Sequence, residues 1–266
     1  MFIILSRNTL PSPKQNLYLK KLGGEKMKKS KLVLWLAIAS LQIGTALAAN
    51  VDVLNGEAIF NEGKGDAAAC MGCHGEKGLG NDGMGAPRLA NIGAIYLAKQ
   101  LNDFATDKRV PEGAGAAMNG IAAALSEQDR RDVAGYLDTL EYELEPSDLK
   151  GLVADGTKVG KPDLGQIIAT RGITGKVPAC QDCHGFNGRD PRFPRINQQK
   201  YVYLYNQLMA FKAGTRTNDP VVLKVGIMRG IAKKMSEDDI MNISAYLSTA
   251  PRVDPSGDSH ATQKSN

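Results

Sequence analysis

The sequence predicts an all-α protein built from two tandem copies of one small helical unit. A five-residue motif occurs twice, 110 residues apart, and other residues repeat with the same shift. Each copy holds apolar residues at the i, i+4, i+7 spacing of an amphipathic helix. Each copy also has a serine followed three residues later by an aspartate, the signature of a helix N-terminus. A chain of 266 residues has room for two such domains.

The repeated motif is Cys-x-x-Cys-His, at residues 70–74 and again at residues 180–184. In this pattern both thiols add to the vinyl groups of a haem, and the histidine binds the iron. The two motifs use all four cysteines, and the long gap between the pairs does not fit a zinc ribbon. The sequence therefore predicts two covalently bound haem c groups. The attachment residues are Cys70, Cys73, Cys180 and Cys183, and the iron ligands are His74 and His184.

Each repeat has the same order of predicted elements. A short helix at 56–63 or 165–172 precedes the motif, and a glycine-rich loop after it ends in Pro-Arg-Leu at 87–89 or Pro-Arg-Ile at 194–196. An amphipathic helix follows in both copies, and its apolar positions are Leu97, Leu101 and Phe104, or Leu204, Leu208 and Phe211. The last helix starts at Ser126 or Ser236, with core positions Val133, Tyr136, Leu137 and Leu140, or Ile243, Tyr246 and Leu247.

The predicted domains are a leader at 1–48, domain one at 50–140, a linker at 141–164, domain two at 165–250 and a polar tail at 251–266. The leader holds a secretory signal, with lysines after Met27, an apolar run at 32–43 and an Ala-x-Ala cleavage site at 46–48. Met27 is the predicted true start. The apolar run is short for a membrane anchor, so cleavage is favoured over retention. We expect a periplasmic protein, with peripheral attachment to the inner membrane as a second option.

Charge is distributed unevenly along the chain. The leader holds 8 of the 33 basic residues and one of the 28 acidic residues, so the remainder is near neutral and nothing favours nucleic-acid binding. Residues 50–145 hold 8 basic and 16 acidic residues, and residues 146–266 hold 17 and 11. A haem loses one positive charge on reduction, so a positive field favours the ferrous form. The second haem is therefore predicted to have the higher potential.

The second axial ligand of each iron is predicted to be methionine. The remaining histidine, His260, lies in the polar tail and could not serve two haems. Position leaves Met84 or Met118 in the first repeat, and Met209, Met228, Met235 or Met241 in the second. Met118 and Met228 occupy equivalent places, each eight residues before the serine that opens the last helix. We predict that these two bind iron, whereas Met235 aligns with Leu125 and belongs to the core.

Both halves resemble class I cytochrome c domains, and the tandem resembles the dihaem cytochrome c4 family over residues 51–250. The resemblance implies that the carbonyls of Pro87 and Pro194 accept hydrogen bonds from His74 and His184. It also implies that Arg88 and Arg195 reach haem propionates. The first repeat departs from the family pattern in two ways. It has an extended loop at 112–117, and it lacks the Lys-Ala-Gly-Thr-Arg segment found at 212–216 in the second repeat.

His/Met ligation fills both axial positions, which predicts an electron carrier and not an enzyme, with no small-molecule substrate. The resemblance implies redox protein partners, such as a membrane-bound quinol-oxidising complex or dehydrogenase as donor and a terminal oxidase or reductase as acceptor. Two alternatives stay open. One is the cytochrome subunit of a flavocytochrome-type sulfide dehydrogenase, and the other is a haem oxidoreductase such as a thiosulfate dehydrogenase.

Overall fold

The computed structural model describes residues 50–140, 145–184, 192–222 and 224–250. The predicted signal peptide and polar tail lie outside these residues. The described residues, from Asn50 to Ala250, belong to one compact unit that contains both repeats. Within the described residues no helix is long and apolar enough to cross a membrane.

The first repeat is helical throughout its regular structure. Its elements are α1 (Val53–Glu62), α2 (Met71–His74), α3 (Ala94–Ala105), a 3-10 turn (Gly113–Ala116), α4 (Ala117–Ala123) and α5 (Glu127–Thr139). The 3-10 turn lies in the extended loop that the sequence identified.

The second repeat has the same helices in the same order. They are α7 (Pro162–Arg171), α8 (Gln181–His184), α9 (Tyr201–Ala213), α10 (Ile227–Ala232) and α11 (Glu237–Thr249). A two-stranded antiparallel hairpin, β1 (Val221–Val222) and β2 (Val225–Gly226), precedes α10. The all-α, two-repeat prediction is confirmed, and the hairpin is a small addition that the sequence did not predict.

The segment predicted to be an irregular linker contains a helix, α6 (Leu149–Ala154). Asp148 caps it, since its carboxylate accepts a hydrogen bond from the Gly151 N–H at 3.0 Å. The neighbouring Ser147 hydroxyl accepts from the Tyr201 N–H at 3.0 Å, and the Tyr201 hydroxyl donates to the Lys158 carbonyl at 2.7 Å. This part of the predicted linker is therefore packed against the second repeat. The domain boundaries themselves stay predictions.

In each repeat the first and last helices cross at a glycine. Gly56 of α1 lies against the backbone of Asp132 in α5, and a Cβ atom there would be 2.2 Å from the Asp132 carbonyl oxygen. Gly165 of α7 lies against Asn242 of α11, with a corresponding distance of 2.0 Å. Glycine is needed at both crossings because any side chain would separate the helices.

The last helix of each repeat begins with the predicted capping box. The Ser126 hydroxyl accepts from the Asp129 N–H at 3.1 Å, and the Asp129 carboxylate accepts from the Ser126 N–H at 3.2 Å. Ser236 and Asp239 repeat this pattern, with distances of 3.1 and 2.9 Å. Both boxes satisfy N–H groups that the helix leaves unpaired, and the prediction is confirmed.

Each repeat has its own apolar core between these helices. The first core is built from Ile59, Phe60, Leu97, Val133 and Leu137, and the second from Ile168, Leu204, Ile240, Ile243 and Leu247. The predicted core positions Tyr136, Leu140 and Tyr246 are only partly buried at the edge of these clusters. The ring of Tyr136 packs on Phe60, with 5.8 Å between centroids.

Candidate haem sites and the contact between the repeats

The two Cys-x-x-Cys-His motifs lie on short helices, α2 and α8, and all four cysteines are free thiols. Burial raises the pKa of Cys70 and of Cys180 to about 11. A thiol that exchanges disulfides has a lowered pKa and is present as the thiolate near neutral pH. The first cysteine of each motif has the opposite character, so the site does not resemble a disulfide-exchange centre.

Both motif histidines are oriented by a proline carbonyl of the same repeat. His74 Nδ1 lies 2.9 Å from the Pro87 carbonyl oxygen, and His184 Nδ1 lies 3.0 Å from that of Pro194. The predicted contacts are therefore present. Burial lowers the pKa of both histidines, although the carbonyl bond acts in the opposite direction. A neutral ring that donates through Nδ1 keeps the Nε2 lone pair available for a metal.

A cavity opens beside the second motif, within about 1130 Å³ of space that includes open solvent. Cys180, His184 and Met228 all line it. Its walls are mainly apolar, and they include Leu204, Leu208, Phe211, Ile231, Ile243 and Leu247. The cavity combines a thiol, an imidazole and a thioether with an apolar wall suited to a macrocycle, so the residues present fit a covalently held haem.

The methionines differ in their surroundings. Met118 in α4 and Met228 in α10 are half-buried at equivalent places in the two repeats. Met84 is 48% exposed, whereas Met235 is 3% exposed and packs in the second core, as predicted from its alignment with Leu125. Met235 also lines the cavity, so position in the cavity does not by itself distinguish it from Met228.

Arg88 lies at the contact between the repeats. Arg88 is 1% exposed and reaches into the second repeat, where Nε donates to the Gln198 carbonyl at 3.3 Å and Nη2 to the Asn197 carbonyl at 2.9 Å. Nη1 donates to the carbonyl of Ala90. Because all three nitrogens bind carbonyl oxygens, Arg88 contributes to the contact between the repeats, and its expected propionate contact stays a prediction.

Arg195, the equivalent residue, reaches in the opposite direction. Its Nη1 donates to Oδ1 of Asn91 at 2.6 Å and to Oδ1 of Asp138 at 3.0 Å, both in the first repeat. Each repeat thus supplies one arginine to the other. Sequence reasoning missed this exchange because an arginine next to a haem loop suggests a propionate partner.

A second pair of arginines was also missed. Arg109 stacks over Phe104, 4.6 Å from the ring centroid, and Nη1 donates to Oε1 of Gln100 at 2.8 Å. Nη2 crosses to the second repeat and donates to the Tyr203 hydroxyl at 3.1 Å and to Oε1 of Gln207 at 2.7 Å. Arg109 is 6% exposed, so this network is buried.

Arg216 repeats the arrangement from the other side. It stacks over Phe211 at 4.4 Å and donates to Oε1 of Gln207 at 2.7 Å. Nη2 donates to the Tyr96 hydroxyl of the first repeat at 3.1 Å. The first repeat therefore has an equivalent of the run at 212–216, which corrects the expectation that it lacks one. Asp107, with φ 54°, adopts the left-handed turn that Gly214 provides with φ 83°.

Tyr203 lies between these two arginines. Burial raises its pKa, but the charges of Arg109 and Arg216 act more strongly together and lower the pKa to about 8. Tyr96, Gln100 and Arg216 also line the cavity beside His184. The buried polar contact between the repeats is thus continuous with the second candidate haem site.

Comparison with known proteins agrees with this architecture. The cytochrome c family model matches residues 53–141 and 156–251. The chain is 35% identical over 196 residues to cytochrome c4 of Stutzerimonas stutzeri, covering 70% of this chain and 86% of that protein. It is 34% identical over 206 residues to the thiosulfate dehydrogenase electron acceptor of Stutzerimonas stutzeri strain A1501, covering 76% and 88%.

A solved structure shares the fold. The crystal structure of reduced recombinant cytochrome c4 from Pseudomonas stutzeri superposes with a TM-score of 0.58 and 30% identity, covering 75% of this chain and 98% of that chain. Two cytochrome c domains in one chain imply two covalently bound haem c groups, and proteins of this kind carry electrons. The chain belongs to the cytochrome c family and, within it, to the dihaem cytochrome c4 proteins that act as electron carriers and not as enzymes.

Proposed function

We propose that this dihaem protein carries electrons in the periplasm from a membrane-bound quinol-oxidising complex or dehydrogenase to a terminal oxidase or reductase. The observation that supports it most is the duplicated histidine site. His74 and His184 are each oriented by a proline carbonyl, and His184 faces a cavity shared with Cys180 and Met228. When bound there, each haem accepts and releases one electron.

The proposed attachment residues are the four cysteines of the motifs, and the proposed ligands are His74 with Met118 and His184 with Met228. Met228 is favoured over Met235 because it has a methionine counterpart in the first repeat. A methionine thioether paired with histidine would raise the reduction potential of a bound haem and would leave no coordination position for a substrate. These residues would therefore hold the iron in a form suited to electron transfer.

The proposed setting rests on the leader and on charge. Residues 27–48 have the features of a secretory signal, and covalent haem attachment is carried out on exported chains. After residue 145 basic residues outnumber acidic ones by 17 to 11, and before it acidic residues outnumber basic ones by 16 to 8. Two halves of opposite net charge suit docking to two different partners, with an acidic partner at the second repeat.

A second candidate donor is a thiosulfate dehydrogenase. It is favoured by the 34% identity to a protein described as a thiosulfate dehydrogenase electron acceptor. With this donor the chain still carries electrons, and the partner enzyme oxidises thiosulfate. The two candidates differ only in which protein reduces the first haem.

Stopped-flow spectroscopy of the oxidised holoprotein separates the candidates. One mixing experiment uses a quinol-oxidising complex in vesicles with quinol, and the other uses thiosulfate dehydrogenase with thiosulfate. Rapid reduction by one donor, weakened by added salt, identifies the donor class. Thiosulfate alone is the control. Reduction by thiosulfate without the dehydrogenase, or rapid binding of carbon monoxide by the reduced native protein, would contradict the carrier role.

A further inference from the structure

One peptide group in each repeat makes hydrogen bonds at both ends: its carbonyl bonds within its own repeat, and its N–H bonds to the other repeat. The carbonyl of Pro87 accepts from His74 Nδ1 at 2.9 Å. The N–H of the same peptide group belongs to Arg88, and it donates to Oε1 of Gln199 in the second repeat at 2.6 Å. His74 and Gln199 thus bind opposite ends of a single peptide dipole.

The orientation of the Gln199 amide follows from its partners. Its Oε1 accepts hydrogen bonds from two backbone N–H groups, those of Arg88 at 2.6 Å and Lys200 at 2.9 Å. Its Nε2 donates to the Arg88 carbonyl at 2.9 Å. A flipped amide would place NH₂ against two N–H donors. The side chain is buried, at 4% exposure, so water does not compete for these bonds.

The second repeat has the same arrangement in the opposite direction. The Pro194 carbonyl lies 3.0 Å from His184 Nδ1, and the N–H of the same peptide group, on Arg195, donates to the Ile92 carbonyl of the first repeat at 3.1 Å. Ile92 and Gln199 are each five residues after the proline of their own repeat. Equivalent positions therefore supply both acceptors, one through its side chain and one through its backbone.

Hydrogen bonds at the two ends of a peptide group strengthen each other, because an acceptor on the N–H draws electron density toward the carbonyl oxygen. A stronger carbonyl acceptor polarises the Nδ1–H of the histidine and raises the basicity of its other nitrogen. A more basic ligand stabilises ferric iron more than ferrous iron. An acceptor supplied by one repeat therefore lowers the potential at the other repeat's iron.

We propose that the repeats tune each other's haem potential through these peptide groups, with Gln199 as a positioning residue that acts on His74 through Pro87 and Arg88. The inference rests on the proposed ligand role of His74. In this proposal the contact between the repeats helps to set the reduction potentials of the two haems. Loosening that contact, for example when a partner docks, would raise the potential of the first haem.

Two substitutions at Gln199 test the proposal in the holoprotein. Gln199→Met has similar volume but no acceptor, and Gln199→Glu keeps an oxygen acceptor. Gln198→Asn is the matched control, because the Gln198 side-chain oxygen has no hydrogen-bond partner among the described residues and asparagine tolerates the left-handed φ of 55°. The measurements are the potential of each haem and the NMR shift of the Nδ1 proton of His74 and His184 in the reduced protein.

Gln199→Met is expected to shift the first haem to higher potential and to move the His74 proton upfield, with smaller changes at the second haem. Gln199→Glu is expected to leave the first potential equal to or below that of the parent protein, and Gln198→Asn to leave it unchanged. A shift of the same sign in all three variants, or none in Gln199→Met, would overturn the proposal. A His74 ring without porphyrin ring-current shifts in the parent protein would instead refute its ligand role.

Discussion

The helix crossing at Gly165 gives a prediction whose size follows from the structure. In Gly165→Ala the new Cβ would lie 2.0 Å from the Asn242 carbonyl oxygen and 2.7 Å from the Cβ of Tyr246. Ordinary contact begins near 3.4 Å, so α7 and α11 must separate locally by at least about 1.4 Å. The obstacle is helix backbone, which cannot move aside as the end of a flexible side chain can.

Overpacking of this kind costs about 1–3 kcal/mol, and a rigid backbone neighbour favours the upper end. Replacing glycine by alanine inside a helix stabilises the helix by about 1 kcal/mol, because alanine has the higher helix propensity. The free energy of unfolding should therefore fall by about 2 kcal/mol, roughly a thirtyfold change in the unfolding equilibrium. The loss falls on the second repeat, since Ile243 and Leu247 of α11 line its cavity.

Guanidinium chloride unfolding of the holoprotein, followed by far-UV circular dichroism, measures this loss. Gln166→Ala is the control, because Gln166 is exposed on the same helix and its substitution should change stability by no more than about 0.5 kcal/mol. Gly56→Ala should reproduce the loss in the first repeat, where the corresponding contact is 2.2 Å. If Gly165→Ala proved as stable as the parent protein, the close crossing would be refuted.

Three further predictions follow from the site and its surroundings. The mass of the mature protein should equal the chain plus two haems that resist acid-acetone extraction, and a mass with one haem or none would contradict the dihaem assignment. Burial raises the pKa of Asp129, but hydrogen bonds from Lys64, Ser126 and Asn55 outweigh burial and lower the pKa well below its usual range. The contribution of Asp129 to stability is therefore present above about pH 4 and is lost as the pH falls. Asp129→Asn should therefore lower stability at pH 7 and flatten the dependence of stability on acid, as pH-dependent unfolding would measure. In a redox titration at low salt, the second haem should have the higher potential, because residues 146–266 carry a net positive charge, and a higher potential on the first haem would reverse the predicted direction of electron flow.

The sequence was sufficient for the first, amphipathic and last helices of each repeat and for the capping boxes, because each depends on local spacing. The histidine contacts were expected from the resemblance to class I cytochrome c domains. It was insufficient where a contact joins residues far apart in the chain. A constant shift of 110 residues aligns the motifs and the methionines, but the proline–arginine pairs are offset by 107. Under the smaller offset Arg109 aligns with Arg216, and this was the available signal for the buried arginine pair.

Backbone conformation explains why that signal was weak. Gly214 marks a left-handed turn in the sequence, whereas Asp107 makes the same turn without a glycine. The role of Gln199 could not be predicted either, since it depends on a side chain reaching a peptide group 111 residues away. Such contacts are decided by how the repeats dock, which periodicity and motif spacing do not encode.

The most direct test of the ligand assignment is proton NMR of the reduced protein. A methionine bound to ferrous haem has its methyl protons shifted strongly upfield by the porphyrin ring current, so two such signals are predicted. Met118→Ala should remove one signal and Met228→Ala the other, whereas Met84→Ala and Met235→Leu should leave both in place. Loss of an upfield methyl signal in Met84→Ala or Met235→Leu, with both retained in Met118→Ala and Met228→Ala, would contradict the account.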